Sequence, residues 1–270
     1  MSGRREIETG TDKMLAHVED GIGWMIVNNP ERHNAMGVEM FGAVPQIITA
    51  FQDDPDVRVV IVRGSGDRAF VSGGDISQFG ERRTTPASRA EYNRGSNLSW
   101  SAWESLDKPV IAMIRGYCLG GGLLLAMKTD IRIASEGSQF GIPAARLGLG
   151  YPLSGVEALM ALCGPAPTAE ILFSGRRLSA DEALAAGLVN RVVPDDRLEA
   201  DVLELAATIA ANAPLTVRAC KVAIREARRQ PADRDYDRLE KLIEECFLSE
   251  DYGEGKAAFM EKRAPQFKGR

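Results

Sequence analysis

Two glycine clusters hold the residues whose pattern could do chemistry. The first is Ser72-Gly73-Gly74-Asp75-Ile76. The second is Gly116-Tyr117-Cys118-Leu119-Gly120-Gly121-Gly122, running into Leu123-Leu124-Leu125-Ala126-Met127. Residues without a Cβ let a ligand approach main-chain N–H groups, and N–H groups at a helix start have no partner within the helix. Each cluster alone reads equally as a turn or as close helix–strand packing. Two of them, each after a strand, form a stronger pattern. Their N–H groups could converge on one oxygen as an oxyanion hole, where a donor is typically worth about 2.7–4 kcal/mol. A further glycine run, Gly64-Ser65-Gly66-Asp67-Arg68-Ala69, matches the looser dinucleotide fingerprint. Because Phe70-Val71-Ser72-Gly73 reads as extended where that fingerprint needs a helix, the run is expected to be a turn between strands.

Other chemistries have little to work with. The chain has only His17 and His33 and no Cys-x-x-Cys, so neither a metal site nor a histidine triad is expected. Cys118, Cys163, Cys220 and Cys246 are far apart and read as reduced thiols. With 33 Lys+Arg against 38 Asp+Glu the net charge is -5, and the pI is near 5.3. That balance gives no broad positive field, so nucleic acid is not an expected partner. No apolar run reaches the roughly 18 residues of a membrane span, since Tyr117 to Met127 stops at Lys128. The start, MSGRREIETG, lacks an apolar targeting segment, and a cytoplasmic location is expected.

The elements that would position the clusters read as α/β. Residues 23–27, 57–62, 110–114 and 131–134 are β-branched runs bounded by turn formers, hence strands. Met36, Met40, Val44, Ile47, Ile48 and Phe51 follow helical spacing, and Pro45 inside that stretch predicts a kink or break. Residues 77–100 read as an irregular surface segment or lid. Ser179-Ala180-Asp181-Glu182 is a capping box opening a helix that stops at Gly187. After Pro194 the pattern is helical, over about 198–211, 215–229, 235–248 and 255–263.

On specific motifs, the sequence resembles the crotonase superfamily, the enoyl-CoA hydratase/isomerase family. The resemblance rests on Pro30-Glu31-Arg32-His33-Asn34-Ala35-Met36, Ala69-Phe70-Val71-Ser72-Gly73-Gly74-Asp75, and Lys108-Pro109-Val110-Ile111-Ala112 leading into the second glycine cluster. Asp130-Ile131-Arg132-Ile133-Ala134, Phe140-Gly141-Ile142-Pro143, Ala183 to Asn190 and Phe259-Met260-Glu261-Lys262-Arg263 continue it. The resemblance implies a spiral of β-β-α turns over residues 1–197 holding an acyl-CoA site. Residues 198–270 would be a helical region serving a homotrimer or hexamer. It also implies an acyl-CoA substrate, with coenzyme A entering as part of that substrate and no separate cofactor.

By the same resemblance, Gly74 and Gly121 supply the oxyanion hole. Ser72, Asp75 and Ile76 of the first cluster, with Leu124 and Ala144, would line the substrate site, and Arg32 and His33 lie beside the CoA moiety. Lys262, Phe267 and Lys268 would reach CoA phosphates across a subunit boundary. They read equally as a solvated basic tail, and His33 as a loop residue lending only its backbone. The family's hydratases use two glutamates, and here those positions hold Leu124 and Ala144, while Pro152 stands where some isomerases carry an acid. Neither Leu124 nor Ala144 can move a proton, and such groups typically contribute 10²–10⁴-fold each. The expected reaction is therefore a lyase step, decarboxylase-like, or an isomerisation. An atypical hydratase and a non-catalytic acyl-CoA-binding protein are the alternatives. Tyr151 is the candidate proton-transfer group, with a pocket-lining ring as its plain alternative. Asp75, Arg146, Glu81, Glu91 and Tyr92 stand in reserve.

Overall fold

Asp20 and Gly21 both adopt positive φ (48° and 80°) and close a two-residue hairpin between β2 (Met14–Glu19) and β3 (Ile22–Val27). An Asp-Gly pair suits that mirror-image turn, whose twist matches the strands it joins. β1 (Arg5–Ile7) pairs on the far side of β2. The computed structural model describes residues 3–75 and 95–270; Ile76, Glu81, Glu91 and Tyr92, named above, lie outside them.

From β3 the chain crosses through α1 (Val38–Asp53) to β4 (Val59–Gly64), which pairs parallel with β3. Of the kink or break expected at Pro45, the break does not occur: α1 runs unbroken through it. Met40, Phe41, Val44, Ile47, Ile48 and Phe51 are buried on both sides of the proline. Their burial, at about 1.5–3 kcal/mol for each large side chain, outweighs the roughly 3 kcal/mol an interior proline costs.

The chain then alternates between two sheets. β4 leads to β5 (Ala69–Val71), β6 (Val110–Ile114) to β7 (Tyr117–Leu119), and β8 (Ile131–Ser135) to β9 (Gln139–Gly141). The first strand of each pair joins a seven-stranded sheet in the order β1-β2-β3-β4-β6-β8-β11, with β11 spanning Arg191–Val193. The second joins a four-stranded sheet ordered β10-β9-β7-β5, with β10 at Leu178–Ser179. This is the expected spiral, and the Gly64–Ala69 run is the turn from β4 to β5. α2 (Gly121–Met127) follows β7, while α3 (Leu153–Cys163) and α4 (Pro165–Ser174) separate β9 from β10. α5 (Ala180–Ala185) starts at the expected capping box, where Glu182 N–H donates to Ser179 Oγ at 3.2 Å and Ser179 N–H to Glu182 Oε2 at 2.8 Å.

Both faces of the large sheet are covered. Val60, Val62, Ala112 and Ile114 face the main core with Phe70, Cys118, Phe140 and α1. Val59, Ile61, Ile111 and Ile133 face Leu198, Val202 and Ala206 of α6 (Leu198–Ala210). Double burial explains why these strands read as continuous apolar runs. α7 (Pro214–Ala227), α8 (Tyr236–Leu248) and α9 (Glu250–Glu261) complete the chain. Arg225 and Arg238, from α7 and α8, both bind the buried carboxylate of Asp107, at 3.0 and 2.7 Å.

Candidate active site

The two glycine clusters meet. β5 and β7 are parallel neighbours, so the turns that leave them emerge side by side. Gly73 (φ 123°) and Gly120 (φ 52°, ψ -114°) adopt backbone conformations that side chains disfavour, and these bends turn the following residues toward each other. A Cβ placed on Gly121 would lie 3.5 Å from the Gly74 nitrogen.

Gly74 is held from behind. Met36 N–H donates to Gly73 O (2.8 Å) and Asp75 N–H donates to Met36 O (3.0 Å), forming a parallel bridge across Gly74. In that pattern the bridged residue's own N–H points to the opposite edge, away from Met36. Gly121 opens α2, so its N–H has no intrahelical acceptor. The arrangement presents two N–H groups close together and unclaimed by the secondary structure around them. Such a pair can receive one oxygen that carries developing negative charge.

The remaining candidates fall into three groups. Arg32 and His33 lie beside the first cluster, which Ser72 opens: Ser72 N–H donates to His33 O (3.1 Å), and Arg32 Nη1 contacts both Asp75 carboxylate oxygens at 3.1 Å. His33 lends more than its backbone, since its ring meets Tyr117 edge-on at 5.8 Å, and Arg177 stacks over the same tyrosine at 4.9 Å.

Leu124 lies in α2 directly after the second cluster. Ala144 lies in a short 3-10 turn after β9, close behind Gly141, whose carbonyl accepts Gly120 N–H at 2.8 Å. Both side chains pack against the main core, as does the ring of Tyr151. Tyr151 sits over Gly155, where a Cβ would be 3.0 Å from the hydroxyl. That hydroxyl is buried with no hydrogen-bond partner among the described residues, and burial raises its pKa. Arg146 rests on Gly175, where a Cβ would meet its Cγ at 2.8 Å.

Lys262, Phe267 and Lys268 stand apart. Lys262 ends α9 with φ 55° and is exposed, and Phe267 packs over Gly255. Asp251 clamps the tail by accepting the N–H groups of Lys268 (2.7 Å) and Gly269 (2.8 Å). Gly269 then lies against Pro214 and against Arg58, just before β4, whereas the glycine pair follows the far ends of β5 and β7.

Sequence reasoning missed Asn34. It is 1% exposed at φ 56°, and its amide bonds the turn between β4 and β5. An asparagine between two motif residues was the available signal, because Asn tolerates the left-handed region.

A crotonase-type spiral with facing glycine turns defines the class of this protein. The family model for enoyl-CoA hydratase/isomerase matches residues 17–270, and the chain belongs to that family, within the crotonase superfamily. It is 34% identical over 256 residues to a crotonyl-CoA hydratase from Syntrophomonas wolfei, covering 95% of this chain and 98% of that protein. It is 37% identical over 241 residues to a carnitinyl-CoA dehydratase from Salmonella typhi, covering 88% of this chain and 91% of that one. Among solved structures, an enoyl-CoA hydratase/carnithine racemase from Magnetospirillum magneticum superposes with a TM-score of 0.89 at 34% identity, covering 96% of this chain and 97% of that chain.

Proposed function

We propose that this protein is an enzyme acting on an acyl-CoA thioester, with the carbonyl oxygen held between the N–H groups of Gly74 and Gly121. The observation that carries the reading is their apposition, with a Gly121 Cβ position 3.5 Å from Gly74 N. Two donors on that oxygen stabilise the enolate that forms when a bond at the α carbon breaks. Coenzyme A arrives with the substrate, along the segment carrying Arg32, His33, Ser72 and Asp75.

Leu124 and Ala144 favour chemistry that needs no paired carboxylates, hence a lyase step or an isomerisation. In decarboxylation of a malonyl-type thioester, the bond from the α carbon to the carboxylate breaks and CO₂ leaves. The electron pair enters the enolate, and the α carbon later takes a proton. Burial raises the pKa of the Tyr151 hydroxyl and so keeps it protonated. This makes it a weaker acid but leaves it able to donate a hydrogen bond to the departing carboxylate; Tyr151 is our candidate for that contact and for the later proton transfer. The names of the relatives, a hydratase and a dehydratase, favour a second reading in which another pair of groups handles water.

The C-terminal helices leave Phe247, Leu248, Phe259 and Met260 60–83% exposed. Large apolar side chains grouped this way favour association, and we assign them to a homotrimer or hexamer. In that assembly the tail bearing Lys262, Phe267 and Lys268 serves a neighbouring subunit's CoA.

The test is turnover of malonyl-type, 3-enoyl and 2-enoyl thioesters, crotonyl-CoA among the last. CO₂ release or double-bond migration supports the first reading, and hydration alone supports the second. Tight binding of every thioester with no product overturns both and leaves a non-catalytic acyl-CoA-binding protein.

A further inference from the structure

We infer that Asn34 is the positioning residue that aims the Gly74 N–H; this rests on the reading of Gly74 and Gly121 as an oxyanion hole. Asn34 is buried, and its side chain uses its full set of donors and acceptors. Oδ1 accepts the Asn29 N–H at 2.9 Å and the Ser65 hydroxyl at 3.2 Å. Nδ2 donates to Ser65 O at 3.0 Å and to Ala69 O at 2.7 Å. A satisfied buried amide is a rigid joint, because moving it leaves several polar groups unpaired at once.

The joint fixes where the next residues run. His33 and Asn34 both have positive φ (51° and 56°), and this double bend sends Ala35 and Met36 alongside the first glycine cluster. Three hydrogen bonds lace the two segments together: Ser72 N–H to His33 O (3.1 Å), Met36 N–H to Gly73 O (2.8 Å) and Asp75 N–H to Met36 O (3.0 Å). The last two flank Gly74 and set the plane of its peptide. Asn34 thus ties that plane to the turn between β4 and β5, and room for its amide comes from Gly64, where a Cβ would stand 2.5 Å from Nδ2. Loosening Asn34 removes no side chain assigned to the substrate and lets the Gly74 donor drift. Small misplacements of such donors carry large rate penalties.

The experiment uses the full chain and a CoA thioester whose acyl group is a conjugated aromatic acid. Polarisation of its carbonyl by oxyanion donors moves the absorbance band to longer wavelength. Two variants separate backbone from side chain. Asn34→Gly keeps access to positive φ and removes every side-chain bond. Asn34→Asp keeps the shape and replaces the donors to Ser65 O and Ala69 O with an oxygen. For each variant that keeps the wild-type circular dichroism, affinity for free CoA should stay within about threefold while the band shift falls by half or more. Ser65→Ala, which removes one of the four bonds, should lose a smaller part of the shift and serves if neither Asn34 variant folds. A full wild-type shift in folded Asn34→Gly or Asn34→Asp, or in Ser65→Ala where only that variant folds, overturns the role of Asn34 and leaves the oxyanion reading standing. No shift in the wild type overturns the oxyanion reading itself, and the role of Asn34 with it.

Discussion

Gly122 lies against Val71 so closely that a Cβ on the glycine would stand 1.9 Å from the Val71 carbonyl oxygen. The contact locks the start of α2 onto β5 and thereby fixes the distance between the two glycine clusters. The three consecutive glycines of the second cluster therefore have different jobs. Gly120 makes the bend, Gly121 offers its N–H, and Gly122 permits the close approach.

Of the three consecutive glycines, Gly122 should tolerate a methyl (Gly122→Ala) least, because a backbone oxygen cannot move aside as a flexible side chain can. The expected loss is at least the 1–3 kcal/mol typical of overpacking, read from urea unfolding midpoints. A variant as stable as wild type would show that α2 can slide on β5.

Gly121 should behave differently. Its Cβ position meets Gly74 N at an ordinary van der Waals distance of 3.5 Å, so Gly121→Ala should fold normally. The methyl would stand where the substrate oxygen must sit, and turnover should fall at least tenfold at unchanged stability. Gly121→Pro removes the donor itself and should cost about 10²–10³ in turnover. Unchanged activity in a folded proline variant contradicts the assignment.

The fold was legible wherever burial on both faces made strands into long apolar runs, as in β3, β4, β6 and β8. Strands of two or three residues, such as β7, β9 and β10, carry too little sequence to show a period, whereas β5 was legible as the extended Phe70-Val71 after the Gly64–Ala69 turn. β2 was missed although Asp20-Gly21 announced its hairpin, because Ala16 and His17 dilute its pattern. In the site, Gly74 and Gly121 were visible as cluster members whose meeting follows from β5 and β7 being neighbours. Asn34 was not, since its amide bonds residues 31 and 35 positions away, and only the folded chain brings those together.

The wild type should be a poor hydratase of crotonyl-CoA. Leu124 and Ala144 pack into the core and offer water neither a base nor an acid. Steady-state assays should give rates well below the ~10² s⁻¹ of an efficient enzyme. Changing both positions to Glu should raise hydration, at some cost in stability for two new carboxylates in a packed wall. Fast hydration by the wild type would mean that other groups have replaced the missing pair.

Tyr151→Phe separates a chemical role from a packing one. The hydroxyl has no partner among the described residues, so its removal should leave stability within ~1 kcal/mol of wild type or improve it. Turnover of a malonyl-type thioester should drop tenfold or more while thioester binding persists. Because burial raises the pKa of this hydroxyl, its ionisation should not appear near the ordinary value of ~10. The wild-type rate should therefore show no decline from this group as pH rises toward that value. Equal turnover by the two proteins would leave Tyr151 a wall of the pocket.

In the proposed site the Gly74 and Gly121 N–H groups bind developing negative charge on a thioester oxygen. Affinities for two CoA analogues test it most directly. One carries an anionic nitronate in place of the enolate, and the other a methylene in place of the carbonyl. The nitronate should bind at least ~10²-fold more tightly, as expected for a mimic of the charged intermediate, and Gly121→Pro should remove most of that advantage. Equal affinity for the two analogues in the wild type would show that these N–H groups do not hold that charge.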